Sequence, residues 1–199
     1  MKLRYVTNSP YCRKVMIAAY FLNLDKRIEL LNNETDLGDL IRSQNPLNKI
    51  PILITDEGQA IYDSSVIVRY LDSLSVGATL YPLEARDLAR VMTTEALADG
   101  MMDALGLIAQ EAKWHSAEQI SVGSIVHQRA KIQRGLAVLE AAPPSSLTDA
   151  GAIAVASMLG YLDLRDNLLW RESHPRLEDW LKAFESRTPA FAKTAPGQL

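Results

Sequence analysis

The sequence predicts an α/β region followed by an all-α region. Three observations carry this. The first 76 residues alternate β-branched or apolar runs with helix-patterned runs. From residue 83 onward no convincing strand occurs, and apolar residues recur at helical spacing. Between them "GATLYP" (77–82) carries turn residues and no periodic pattern.

The elements follow in order. "KLRYV" reads as a strand and "YCRKVMIAAYFLNL" as a helix, with Val15, Ala18, Ala19 and Leu22 on one side. Ser9-Pro10 suits its start, Ser as N-cap and Pro in the first helical position. "RIELL" reads as a second strand and "DLGDLIRS" as a short helix. "IPILIT" and "QAIY", joined by "DEG", read as a hairpin. "DSSVIVRYLDSL" reads as a helix capped by Asp63, with Val66, Ile67, Tyr70 and Leu71 facing inward. The order is β-α-β-α-β-β-α.

In the second region, Leu88, Val91, Met92, Ala96, Met101, Met102 and Leu105 mark a long helix. "IVHQRAKIQRGLAVLEAA" is a helix ended by Pro143-Pro144. "DAGAIAVASMLGYLDLR" is small and apolar on nearly every side, as a central buried helix would be. "HPRLEDWLKAFESR" reads as a last amphipathic helix.

Composition narrows the function. With 48% hydrophobic and 23% charged residues, the 199-residue chain can build a sizeable core. A net charge of -3 without a basic run disfavours nucleic acid. No apolar stretch approaches the ~20 residues that span a bilayer, and the N-terminus lacks the apolar segment of a signal peptide. One cysteine excludes an intramolecular disulfide, and the three scattered histidines suggest no metal. A cytoplasmic protein is the expectation.

The motifs "SPYCRKV", "NPLNKIPIL", "YDSSVIVRYLD" and "IAVASMLGYLDLR", in this order and spacing, resemble those of cytosolic glutathione S-transferases of the bacterial, serine type. The resemblance covers nearly the whole chain. It implies a thioredoxin-like domain (1–76) that holds glutathione as co-substrate, a helical domain (83–199) that shapes the pocket for a small apolar electrophile, and a homodimer of detoxifying transferases. It matches Ser9 to the family's catalytic serine and Ile50-Pro51 to its cis-proline. Lys49 would reach the glycine carboxylate of glutathione, Ser64 the γ-glutamyl carboxylate, and Asp63 the ammonium.

Elementary chemistry allows these roles. A helix N-terminus favours an anion, and a serine hydroxyl there can donate to a thiolate. Each residue also has a plainer reading: Ser9 and Asp63 as caps, Lys49 as a solvated cation, Pro51 as a strand start. Cys12 reads either as an inert buried residue or as a redox thiol near a helix end. Met101, Met102 and Trp114 read as core first and as pocket lining second. Glutathione-dependent reduction or isomerisation, or a non-catalytic glutathione-binding regulator, are the alternatives to conjugation, because function lives in the site.

Overall fold

Leu3 and Tyr5 are buried on the first strand, β1 (Lys2–Tyr5), because that strand lies inside a sheet rather than at its edge. A computed structural model describes residues 1–32, 38–77, 79–165, 170–196 and 198. Helix α1 (Pro10–Phe21) leads to β2 (Glu29–Asn32), helix α2 (Gly38–Gln44), the strands β3 (Ile52–Ile54) and β4 (Ala60–Ile61), and helix α3 (Ser64–Ser73). The sheet order is β2-β1-β3-β4. Strands β1 and β2 are parallel, with α1 as the crossover that parallel pairing requires. The β1–β3 and β3–β4 pairs are antiparallel, the second closed by a tight turn with Gly58 at φ 85°.

The rest of the described chain is helical: α4 (Ala85–Trp114), α5 (Val122–Ala141), α6 (Ala150–Arg165), α7 (Trp170–Ser173), α8 (Pro175–Arg187) and α9 (Pro189–Lys193). This is the expected thioredoxin-like sheet domain with a helical domain after it. Helix α6 is buried from Ala150 to Leu159. Its small residues admit close neighbours: a Cβ on Gly151 would stand 2.9 Å from the Val91 carbonyl of α4. Asp149 caps it, accepting from the Ala152 amide at 2.8 Å.

The differences from the sequence reading are local. Val66 is 51% exposed, and Val68 takes its place on the inner face of α3 beside Ile67 and Leu71. Met92 and Ala96 face outward on α4. "HPRLEDWLKAFESR" is not the last helix, since α9 follows it. The expected start of the second helix, Asp36 and Leu37, and Ala78 of the expected linker lie outside the described residues.

Candidate functional site

A cleft of about 710 Å³ opens between the sheet domain and α4. The sheet side contributes Lys49, Ile50, Pro51, Asp63 and Ser64; the helical side contributes Asp99, Met102, Asp103, Leu107 and Tyr161. Five of the six site residues read from the sequence therefore meet on one wall.

Local structure explains their placement. Asn45 is buried and orders the loop before Pro51: its amide donates to the Lys49 carbonyl at 2.9 Å and its side-chain oxygen accepts from the Leu47 amide at 3.0 Å. The Ile50–Pro51 bond is cis. Asp63 is the N-cap of α3 and accepts from the Ser65 amide at 3.1 Å and the Val66 amide at 3.4 Å. Ser64, in the first helical position, is only 3% exposed yet lines the cleft.

Ser9 stands apart from this wall. It caps α1, accepting from the Cys12 amide at 3.3 Å, and its hydroxyl also interacts with the Cys12 thiol. It lines a separate recess of about 10 Å³ with Arg13, Ser157, Gly160 and Tyr161. Tyr161 borders both spaces.

Cys12 is wholly buried. Burial pushes its thiol up to about 11, against the opposing pull of the Ser9 hydroxyl. A thiol that is neutral and inaccessible is neither a good nucleophile nor a disulfide partner, so the inert reading of Cys12 fits the structure.

The polar part of the opposite wall escaped the sequence reading. The Tyr11 hydroxyl donates to Asp103 at 2.5 Å. Burial first, and then this carboxylate, raise the Tyr11 phenol above its usual range, so it stays protonated. Asp99 belongs to a buried network: the Lys14 ammonium lies 2.8 Å from Asp99, 3.3 Å from Glu95 and 3.1 Å from the Ser65 hydroxyl. Ser65 in turn donates to Asp99 at 2.9 Å, and Tyr81 donates to Glu95 at 2.9 Å. This network ties α1, α3 and α4 together directly behind Ser64. Of the three large residues considered for the pocket, Met102 lines it, Met101 is core, and Trp114 is 70% exposed away from it. Among the described residues no group of three or more His, Cys, Asp or Glu is placed to hold a metal, and no helix is long and apolar enough to cross a membrane.

Residues 8–74 match the family model described as the glutathione S-transferase N-terminal domain. The GST-like protein YibF of Escherichia coli (strain K12) is 35% identical, with 98% of each chain covered. A glutathione transferase family member from Pseudomonas fluorescens Pf-5, solved with bound glutathione, is 39% identical at a TM-score of 0.92, again with 98% of each chain covered. A glutathione S-transferase from Methylobacillus flagellatus KT, also solved with glutathione, is 34% identical at a TM-score of 0.86 over 98% of both chains.

Proposed function

The chain belongs to the glutathione S-transferase family, and on that premise we propose that it binds glutathione across the cleft and turns the tripeptide's thiolate on a small apolar electrophile. The observation that carries this reading is the convergence of Lys49, Ile50-Pro51, Asp63 and Ser64 on one cleft wall. An extended peptide pairs its backbone with a strand edge, here at Ile50. The γ-glutamyl carboxylate meets the N-terminus of α3 and the Ser64 hydroxyl. The Asp63 carboxylate takes the ammonium, and Lys49 takes the glycine carboxylate.

Ser9 holds the sulfur. A free thiol ionises near ~8.5, so most glutathione is neutral at pH 7. Lowering that value by ~2 units requires ~2.7 kcal/mol of preference for the charged form. One hydrogen bond to a charged group contributes about 1.5–3 kcal/mol, and the helix end adds to it. The thiol proton leaves to solvent. The electrophile lies against Met102, Leu107 and Leu47, the apolar part of the cleft.

The assembly we propose is a symmetric homodimer, the sheet domain of one subunit against α4 of the other. Its support is a second hollow of about 430 Å³ between α3 and α4, edged by Val66, Tyr70 and Met92. Two of these, Val66 and Met92, are 51% and 44% exposed in the single chain. Light scattering should report twice the mass of one chain at micromolar concentration.

Calorimetry with glutathione, followed by a panel of small electrophiles, disulfides and peroxides, tests the reading. Millimolar glutathione binding with conjugation of at least one electrophile is expected. Binding without any turnover would favour a regulatory protein, and no binding at all would sink the proposal.

A further inference from the structure

Arg13 lies one helical turn beyond Ser9, and its amide donates to the Ser9 carbonyl at 3.0 Å. Side chains on a helix lean toward its N-terminus, so the guanidinium returns to the recess that Ser9 lines. It is 7% exposed. Its Nη2 donates to the Phe191 carbonyl at 2.8 Å, and its Cζ lies 3.7 Å from the centre of the Phe191 ring. Its Nε, fully enclosed, has no partner. No carboxylate stands at ion-pair distance among the described residues; Asp163 and Glu185 attract it only from farther away. Burial lowers its pKa to about 10, which still leaves it charged at neutral pH.

A buried cation without a paired anion is costly, and the fold makes room for this one. Gly160 of α6 supplies the space, since a Cβ there would stand 2.2 Å from the Arg13 Nη1. The recess holds about 10 Å³, roughly the room of one water. It can therefore receive one atom of a ligand but not a whole side chain. A helix N-terminus, a serine hydroxyl and a guanidinium without an anionic partner all favour a negative charge on that atom.

We propose that Arg13 is a second thiol-activating residue: its unpaired charge acts with the Ser9 hydroxyl to hold the glutathione sulfur ionised at the mouth of this recess. The inference rests on the reading of the adjoining cleft as the glutathione site. The carboxylates around the site act against that charge. From α4 the Asp99 and Asp103 carboxylates oppose it. From α6 and α8 Asp163 and Glu185 partly offset Arg13. Tyr11 and Cys12 are held protonated by burial, Lys193 of α9 is turned to the Tyr20 ring, Arg165 of α6 is turned to the Tyr161 ring, and Lys49 is assigned to the glycine carboxylate. With Lys14 already committed to two carboxylates, Arg13 is the cation on α1 left to serve the thiolate.

The test is the pH titration of thiolate absorbance in the glutathione complex, with calorimetry and thermal unfolding in parallel. Arg13→Gln removes the charge and keeps an amide donor for the Phe191 carbonyl. It should raise the pKa of bound glutathione by about one unit, the lower end for an opposite charge within a few ångströms. Arg13→Lys keeps the charge and should stay within a few tenths of wild type. If Arg13→Gln binds glutathione with an unmoved titration, the inference is overturned while the glutathione site stands. If Arg13→Lys shifts the titration as far as Arg13→Gln, and both lose stability together, Arg13 only packs α9 and the inference is likewise overturned. If the wild type binds no glutathione, the reading of the cleft fails first. Should Arg13→Gln not fold, Glu185→Gln removes an exposed offsetting charge and should lower the bound thiol's pKa by a few tenths; no change would count against Arg13.

Discussion

Arg13 and Lys14 are adjacent on α1 and both are buried, yet the fold treats their charges in opposite ways. Lys14 faces α3 and α4, where two carboxylates, a serine hydroxyl and the Tyr81 phenol complete a network. Arg13 faces α6 and α9, where it meets a ring, a carbonyl and an enclosed Nε without a partner. One charge is closed off inside the protein; the other is left open beside Ser9. A buried charge with protein partners is spent on architecture, whereas one without them is free to act on something that arrives. One helix thus carries a structural face and a functional face, a hundred degrees apart, from consecutive residues.

The largest expected effect lies on the closed face. Lys14→Met would leave Glu95 and Asp99 buried near each other with no cation between them. Removing one partner of a buried ion pair costs about 3–5 kcal/mol, so urea unfolding should show a loss of that size. Adding Asp99→Asn and Glu95→Gln should recover part of it. A Lys14→Met protein as stable as wild type would break the comparison, because the network would then hold nothing together.

This contrast was only half legible in the sequence. The caps Ser9 and Asp63 could be read because capping is local: the side chain bonds an amide two or three residues away. The order of strands and helices was legible for the same reason. The polar groups of the far wall were not. Tyr11 meets Asp103 ninety-two residues on, and Lys14 meets Asp99 eighty-five residues on, and no local pattern encodes such pairs. Val66 misled because α3 has a second apolar edge that lines the hollow beside α4 instead of the core. The one available signal for the network was a basic pair, Arg13-Lys14, inside an otherwise apolar helix, which solvent exposure would also have explained.

Cys12, the residue before Arg13 on α1, sets a middle-sized effect that depends on pH. Its thiol is raised from 9.0 to about 11 by burial. The folded state therefore holds this proton more tightly than the unfolded state. The stability it confers is fully present below the unfolded value of 9.0 and is lost as pH rises toward the folded value of about 11. Two units correspond to about 2–3 kcal/mol. Cys12→Ala removes this alkaline loss, while every other titrating group is shared with wild type. The difference in unfolding free energy between the two proteins should therefore shrink or reverse across that window. A constant difference would show that the thiol is not sealed from water. In conjugation assays at neutral pH the same variant should be nearly silent.

The smallest change in stability should accompany the sharpest change in chemistry, at Ser9 on the open face. Ser9→Ala removes an N-cap whose bond to the Cys12 amide is 3.3 Å long. Lost caps typically cost about 1 kcal/mol, well below the Lys14 effect, so the variant should fold normally. The hydroxyl proton matters differently. The cap uses only the oxygen, which accepts, so the proton can turn from the neutral Cys12 thiol to a thiolate. Losing it should raise the pKa of bound glutathione and reduce turnover roughly tenfold to a hundredfold, equivalent to about 1.4–3 kcal/mol. Glutathione affinity should change much less, because the peptide is held at Ile50, Asp63 and Ser64 and the hydrogen bond favours the charged sulfur above the neutral one. Steady-state kinetics beside the thiolate titration separate these terms. If Ser9→Ala lowers stability by several kcal/mol with the thiol titration unmoved, Ser9 belongs with Lys14 among the structural groups, and the division between the two faces of α1 is wrong.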